Sequence, residues 1–424
     1  MHLLYRSQSE NRIIKPDLKI RSLLLNGTIL ALTLTVFTGL GCEKILTGAP
    51  NDGDQLNAPL PGLSRELQIM FNKGDANFDE TFTVATGLGP LFNHSSCAGC
   101  HPSDGRGPSQ VTFLRYTEPG GDPQRNGEPQ LQQFAIPGVL PETLPAGALT
   151  SPRAAPPVFG SGLIEAIPEA TILSYADPTD ADGDGISGRP HLISSPSFVP
   201  DTEVGGGPGL HVGRFGLKAN NASLLEQTVG AYRQDMGVTS DFEPEETTHP
   251  RSGNGSPLGD DVPDPELSGA KVLQTVMYLR LLAPPARGPL TNAVQQGEQI
   301  FSAIGCAKCH VPTMQTGPNS IPQLNEVDVH LYSDLLLHDM GPELADNRPD
   351  REATGTEWKT RPLWGLRLVK TFLGGQAFYL HDARATTVSE AILLHGGEAE
   401  ASRNAFVGLT ASETQALLAF LNSL

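Results

Sequence analysis

Cysteine is scarce in this chain, with five residues among 424. Four of them lie in two Cys-x-x-Cys-His motifs, Cys97–His101 and Cys306–His310, and the fifth is Cys42. No cysteine is left to form structural disulfides, which excludes a scaffold held together by cross-links. The two motifs are therefore the main chemical feature of the sequence.

Positive charge is also low, because 29 Lys and Arg residues stand against 47 Asp and Glu residues, for a net charge of −18. This balance argues against nucleic acid and against an anionic lipid surface as partners. A basic protein partner or a neutral small molecule fits this charge balance better.

The content of glycine and proline is high, with 46 Gly and 36 Pro, so we expect few long helices or strands. We expect much of the chain to be ordered loop around two or three domain cores.

The spacing Cys-x-x-Cys-His allows two thiols to form thioethers with haem while the adjacent imidazole ligates the iron. Two copies predict two covalently bound haem c groups. A single copy would also suit half a zinc site or a redox dithiol, and two Cys-Cys-His sets could share one zinc ion. The predicted haem-attaching and proximal residues are Cys97, Cys100, His101, Cys306, Cys309 and His310.

Residues 1–42 have the pattern of a lipoprotein signal peptide, in which basic residues precede an apolar run and a small-residue cleavage site. Gly39–Cys42 resembles the lipobox at which bacterial lipoproteins are cleaved and lipidated on cysteine. The alternatives are a transmembrane anchor and simple secretion. Glu43 resembles an outer-membrane address. The expectation is an exported lipoprotein, anchored through Cys42 in the outer membrane and facing the periplasm.

The rest of the chain is predicted to be mainly α, with two cytochrome c-like haem domains, extensive loops and a few short strands. Apolar periodicity indicates helices from Leu63, over Pro265–Leu282 and over Thr410–Leu424. The predicted divisions are a flexible tether at 43–62, an N-terminal c-type haem domain at 63–265, a connecting helix and linker at 266–289, and a C-terminal c-type haem domain at 290–424.

An Asp/Gly-rich stretch resembles the start of a calcium loop. Asp180, Asp182 and Asp184 supply oxygens at positions 1, 3 and 5, and Gly185 stands at position 6. The twelfth position is His191 rather than Glu, so a complete EF-hand is absent from the sequence. The pattern predicts a calcium ion that fixes a loop, and the alternative is a solvated turn.

Several further blocks of the sequence are characteristic when taken together. They are Arg214–Ala219, Leu335–Gly341, Glu357–Trp358, Pro362–Gly365 and His381–Ala385. These blocks resemble the bacterial di-haem oxidoreductase family, also described as thiol oxidoreductases and related to the di-haem cytochrome c peroxidases. The resemblance covers most of residues 63–424. It implies a peroxidase-like enzyme in which one haem passes electrons to a second, active-site haem.

The resemblance also suggests partners and competing functions. It implies an electron-donor protein, such as a small cytochrome or cupredoxin, and a small-molecule oxidant or substrate. A non-enzymatic di-haem electron-transfer lipoprotein is the alternative function. A scaffold lipoprotein with structural haems is a third.

The segment Leu224–Gly237 is similar to the distal segment of di-haem peroxidases. By position, Gln227 would orient the substrate and Asp235 would act as acid and base. Asp replaces the usual Glu, and the spacing between the two residues is eight rather than about ten. A capping or surface role for Asp235 is the alternative.

Leu380 occupies the position at which the related peroxidases carry a methionine ligand, so the sixth ligand must come from elsewhere. Met340 is the first candidate to bind haem iron, with His338 and Tyr379 as alternatives, and core packing is an alternative for each. Trp358 and Trp364 are candidates for an aromatic bridge between the haems, and ordinary core packing is the alternative. Any of Arg361, Arg367 and Arg384 could pair with haem propionates, and the sequence does not choose among them.

Overall fold

The protein is described here by a computed structural model covering residues 56–109, 112–117, 130–204, 209–246 and 260–424. These residues belong to one contact unit that spans residues 51–424. The predicted signal peptide, the lipidation site Cys42 and the first part of the predicted tether lie outside the described residues.

Helices form most of the regular structure in the described residues, as predicted. They are α1 (Arg65–Phe78), α2 (Cys97–Cys100), α3 (Ser161–Glu165), α4 (Glu169–Leu173), α5 (Leu224–Met236), α6 (Gly269–Leu281), α7 (Asn292–Ala303), α8 (Val369–Phe372), α9 (Val388–Leu393), α10 (Glu400–Val407) and α11 (Ala411–Leu421). None of these helices has the length and apolar character needed to cross a membrane.

The strands are short, and all pair in two-stranded antiparallel sheets, which confirms the prediction of few and short strands. In chain order they are β1 (Leu91–Phe92), β2 (Thr112–Thr117), β3 (Phe134–Ala135), β4 (Leu149–Ala154), β5 (Leu192–Ile193), β6 (His211–Val212), β7 (Met314–Gln315), β8 (Asp328–Val329), β9 (Leu337–Asp339) and β10 (Glu357–Lys359). The pairs are β1 with β3, β2 with β4, β5 with β6, β7 with β8, and β9 with β10.

Helix α6 lies at the centre of the main hydrophobic core. Its Val272, Val276 and Tyr278 are fully buried. The helix begins later than its apolar pattern because the Ser268 hydroxyl accepts the Lys271 N–H at 3.3 Å and caps it. Helix α1 approaches closely, since a Cβ added at Gly74 would lie 2.2 Å from the carbonyl oxygen of Gln274 in α6.

Residues 56–62, the last part of the predicted tether, pack against this core. Leu56 and Leu60 are buried. The Leu60 amide donates to the carbonyl of Leu281 at 2.7 Å, and the Ala283 amide donates to the carbonyl of Ala58 at 2.9 Å. These contacts fix residues 56–62 against the C-terminal end of α6.

A second apolar cluster forms where α7 meets α11. Phe301 of α7 packs on Phe420 of α11, with ring centroids 5.1 Å apart. The Thr410 hydroxyl accepts the Glu413 amide at 3.3 Å, and the Glu413 carboxylate accepts the Thr410 amide at 2.9 Å. This capping box starts α11 one residue after the predicted boundary. Residues 305–310, which carry the second Cys-x-x-Cys-His motif, follow directly after α7.

Candidate haem-binding sites

The second motif places a neutral imidazole beside two thiols. The His310 amide donates to the carbonyl of Cys306 at 3.0 Å, which folds the motif into one turn. His310 Nδ1 donates to the carbonyl of Tyr332 at 2.9 Å, so Nε2 is left for a metal. Burial lowers the pKa of His310 to about 4. The neutral form that can ligate iron is therefore the stable one.

Cys306, Cys309 and His310 line a cavity of about 260 Å³ with mainly apolar walls. Both tryptophans, Trp358 and Trp364, are part of its lining. An apolar cavity that has two thiols and an imidazole in its wall fits the chemistry of a covalently attached haem.

Three cationic side chains also line this cavity, namely the buried Arg106 and Lys359 and the half-buried Arg361. Their hydrogen bonds go to carbonyls. Arg106 Nη2 donates to Leu380, Arg361 Nη1 donates to Leu380 at 3.4 Å, and Lys359 Nζ donates to Arg214 at 2.6 Å. Arg106 Nε is buried without a hydrogen-bond partner. Buried cations of this kind need negative charge, and the propionates of a haem would supply it.

The pKa shifts of these cations have the same cause. Burial lowers the pKa of Arg361 to about 10. Burial, then repulsion from Arg361 and Arg214, lowers the pKa of Lys359 to about 7. Of the three arginines predicted as propionate partners, only Arg361 lines the cavity. Arg384 pairs with Asp382 at 2.6 Å, and Arg367 donates to the carbonyl of Ala286 at 3.0 Å.

The candidate sixth ligands differ in their availability. Met340 and Tyr379 both line the cavity. His338 also lines it, but its Nε2 lies 2.7 Å from Asp334 and its Nδ1 lies 2.7 Å from Glu398. Burial opposes protonation of His338, but its hydrogen bonds to Asp334, Cys309 and Glu398 raise its pKa to about 12. An imidazolium has no free lone pair, so His338 in this arrangement cannot ligate iron.

The first motif is enclosed more tightly. Ser96 caps α2 by accepting the Gly99 amide at 3.1 Å, and the His101 amide donates to the carbonyl of Cys97 at 2.9 Å. The His101 ring lies 6.2 Å from that of Phe78. Its Nδ1 is buried without a hydrogen-bond partner, and burial lowers its pKa to about 4. A neutral imidazole beside two thiols also suits haem attachment.

Asp235, predicted as the acid/base residue, lies beside this first motif. Its carbonyl accepts the amides of Asn93 at 2.7 Å and His94 at 3.0 Å, which join the end of α5 to the segment before the motif. Gln130 donates to its carboxylate. Burial, and next the nearby charge of Asp235, raises the pKa of Cys97 to about 12. The backbone contacts therefore place Asp235 next to the segment that leads into the first motif.

The turn after Asp235 requires glycine. Gly237 ends α5 with φ of 70°, in the left-handed region. A Cβ at this position would also lie 2.4 Å from the carbonyl oxygen of Leu91, which is in the strand before the first motif. The tight turn therefore holds the end of α5 against the segment that leads to the first motif.

Gln227 lies in the first turn of α5, where its amide oxygen accepts from Asn221 Nδ2 at 2.7 Å. Eight residues of α-helix separate it from Asp235, or about 12 Å along the helix axis. The structure therefore places the two predicted distal residues at different ends of α5.

The thiols do not resemble a redox dithiol. Burial, and then the charge of Cys309, raises the pKa of Cys306 to about 12, whereas reactive cysteines need a lowered thiol pKa. In the described part of the chain, no close group of three or more metal-ligating side chains combines the two motifs. The shared-zinc alternative therefore has no support here.

The Asp/Gly loop gathers three carboxylates, but not the predicted three. Ligand oxygens of Asp177, Asp180 and Asp182 lie within 4.8 Å of one another. Asp184 instead pairs with Lys308 Nζ at 2.9 Å, inside the second motif. Asp177 precedes the pattern that the sequence showed, so spacing alone could not find it. Calcium binding stays a prediction.

Sequence reasoning missed three residues of the second cavity, namely Arg106, Lys359 and His395. Arg106 and Lys359 carried no local signal, because they meet the cavity only through the fold. His395 did carry one, since Val388, Ala391, Ile392 and His395 follow a helical spacing and all line the cavity.

These sites agree with the class of protein that comparison defines. The chain matches the family described as "Di-haem oxidoreductase, putative peroxidase" over residues 144–424. It therefore belongs to the di-haem oxidoreductase family. The matched region contains the second motif and Asp235, and the first motif precedes it.

Solved structures give weaker likenesses. Hydrazine synthase of Kuenenia stuttgartiensis is 16% identical, with 91% of this chain and 99% of that chain covered and a TM-score of 0.38. A MauG-like protein associated with microbial copper homeostasis is 15% identical, with 89% of this chain and 94% of that chain covered and a TM-score of 0.37. No curated protein matches the chain.

Proposed function

We propose that this family member is a di-haem c-type oxidoreductase of the cytochrome c peroxidase type, with its active site at the first motif. The observation that carries the proposal is the position of Asp235, whose backbone carbonyl accepts the amides of Asn93 at 2.7 Å and His94 at 3.0 Å, just before the first motif. A peroxidase needs a group that moves a proton between the two peroxide oxygens. At the second motif, the lining side chains provide an apolar cavity and anion-binding cations instead.

When bound, haem supplies a redox-active iron at each motif. Reduction of hydrogen peroxide to two waters consumes two electrons and two protons. Asp235 would take a proton from one peroxide oxygen and deliver it to the other, which leaves as the first water when the O–O bond breaks. The two electrons and two protons then convert the remaining oxygen into the second water. Gln130, which donates to the Asp235 carboxylate, would fix the orientation of this group.

The electrons would come from a donor protein through the second haem. The net charge of −18 favours a donor with a basic surface, such as a small cytochrome or cupredoxin. The two attachment motifs and the signal-peptide pattern support one and the same compartment, because c-type haem is attached outside the bacterial cytoplasm. We propose an outer-membrane lipoprotein that faces the periplasm, lipidated on Cys42.

The substitution Asp235→Asn tests the proposal. We expect peroxide turnover to fall by about 10² to 10⁴, because an amide cannot transfer the proton. The ratio of haem to protein should stay at the wild-type value. The control is Asp201→Asn, an exposed carboxylate at the start of a short 3₁₀ turn, which should keep wild-type turnover.

Full activity in Asp235→Asn would make this residue structural and remove the catalytic assignment. If the wild-type protein reduced no peroxide and both irons were low-spin in every redox state, the electron-carrier alternative would replace the enzyme.

A further inference from the structure

The cavity at the second motif contains an imidazole that faces the same space as His310. His395 follows α9, and Val388, Ala391, Ile392 and His395 all line the cavity. Their spacing of i, i+3, i+4 and i+7 puts them on one helical face. That face forms a wall of the cavity, and its one polar side chain is the ring of His395.

The His395 ring makes the same kind of hydrogen bond as the ring of His310. His395 Nδ1 donates to the carbonyl of Ala391 at 2.7 Å, and His310 Nδ1 donates to the carbonyl of Tyr332 at 2.9 Å. A histidine that binds a metal commonly donates its other ring nitrogen to a carbonyl, which fixes the ring and the tautomer. Both rings therefore have Nε2 left for a partner in one cavity.

We infer that His395 is the sixth ligand of the iron held at the second motif, in addition to His310. This inference rests on the haem that the proposed function places there. It replaces Met340, which the sequence favoured, and it concerns the second haem alone.

Two of the competing side chains, Met340 and His381, have other contacts. Met340 packs against the buried cluster of Leu217, Leu344 and Trp358. His381 also lines the cavity, but its ring stacks on Trp358 with centroids 3.7 Å apart and planes 14° apart. Its Nε2 lies 3.7 Å from the Asp382 carboxylate. The His381 ring is therefore held against the indole, with a carboxylate beside the nitrogen that would bind iron.

Two histidine ligands have a functional consequence. An iron with two imidazole ligands has no open position for peroxide and has a lower reduction potential than one with a thioether ligand. The second haem would then store and deliver electrons. Peroxide would have to bind at the first motif, beside Asp235.

The test uses the purified full-length protein with both haems attached. We expect the oxidised wild type to show a low-spin signal with two imidazole ligands in electron paramagnetic resonance. In His395→Gly this signal should be lost and replaced by a high-spin signal, with two haems per protein retained. Added imidazole should restore the low-spin signal, and the control Met340→Leu should keep it.

A second variant covers the case in which His395→Gly loses haem. His395→Met keeps a ligating side chain, and the thioether should raise the reduction potential of the low-spin haem. An unchanged potential would overturn the inference. So would a low-spin signal that survives in His395→Gly without imidazole, or one that disappears in Met340→Leu.

These outcomes can be separated from failure of the proposed function. A protein that reduces no peroxide, but loses its low-spin signal in His395→Gly and regains it with imidazole, would keep the ligand assignment and reject the peroxidase. Turnover that depends on Asp235, with a low-spin signal that does not depend on His395, would do the opposite.

Discussion

The ionic contacts of His338 determine whether this side chain of the second cavity can ligate an iron. His338 stands between Asp334 and Glu398, each 2.7 Å from one ring nitrogen. Glu398 also accepts from the Ser187 hydroxyl at 2.6 Å. This chain of contacts fixes the Asp/Gly loop and the turn before α10 against the second motif. His338, which the sequence suggested as an alternative iron ligand, therefore has a structural role.

Replacing His338 by Gln should destabilise the protein by about 3 to 5 kcal/mol, because the buried Asp334 carboxylate would lose its cationic partner. Chemical denaturation would measure the free energy of unfolding. The control is His330→Gln, at an exposed histidine, which should change stability by less than about 0.5 kcal/mol. Equal effects of the two substitutions would show that the paired charges of His338 contribute nothing specific.

At the scale of single residues, the sequence predicts those site residues that belong to a short local motif. The two motifs could be found because haem attachment needs two thiols and an imidazole within five residues. Arg106 and Arg361 could not be joined from the sequence, because about 250 residues separate two side chains that donate to the same carbonyl, that of Leu380. Long-range proximity of this kind comes from the fold and has no pattern along the chain.

At the scale of elements, close approach between helices is set by glycine. Gly297 of α7 faces α11, where a Cβ would lie 2.0 Å from the carbonyl oxygen of Ala416. The apolar period predicted an amphipathic helix at the C-terminus, and α11 starts within one residue of the predicted boundary. It could not show that α7 and α11 meet backbone to backbone, because periodicity says which side is buried and not what covers it.

The substitution Gly297→Ala tests this packing against helix propensity. Ala gains about 1 kcal/mol over Gly in a helix interior, but overpacking a backbone contact costs about 1 to 3 kcal/mol. A backbone carbonyl cannot move away as a side chain can. The cost of the clash should therefore exceed the gain in helix propensity, and the melting temperature should fall.

The matched control for this substitution is Gly230→Ala in α5. At Gly230 the nearest atom to an added Cβ is the Gln234 side-chain nitrogen at 3.4 Å. The higher helix propensity of Ala should therefore exceed any steric cost and raise the melting temperature. If both substitutions raised it, the contact between α7 and α11 would be looser than described.

At the scale of the whole described unit, a buried ion network joins distant parts of the chain. Asp350 accepts from Arg153 at 2.7 Å and pairs with Arg348 at 3.0 Å, while Asp346 pairs with Lys218 at 3.0 Å. These side chains are almost completely buried. Lys218 Nζ also lies 4.4 Å from the centre of the Trp358 ring, which lines the second cavity. The network thus connects strand β4, the segment before α5 and the wall of the cavity.

Asp350→Asn should therefore destabilise the whole unit by about 3 to 5 kcal/mol, because Arg153 and Arg348 would stay buried without this countercharge. Despite burial, attraction to Arg115, Arg153 and Arg348 holds the pKa of Asp350 well below its ordinary value. A lowered folded-state pKa means that this stabilisation is present above the pKa of the unfolded carboxyl and is lost as pH falls below it.

The free energy of unfolding of the wild type should thus decline in acid below about pH 4 more steeply than that of Asp350→Asn. Asp328→Asn, at an exposed carboxylate, is the control and should follow the wild type. Parallel pH curves for Asp350→Asn and wild type would show that Asp350 does not carry the charge that holds the network. A difference confined to acid, with Asp328→Asn unchanged, would identify the network as a feature that joins the N-terminal segments to the wall of the second cavity.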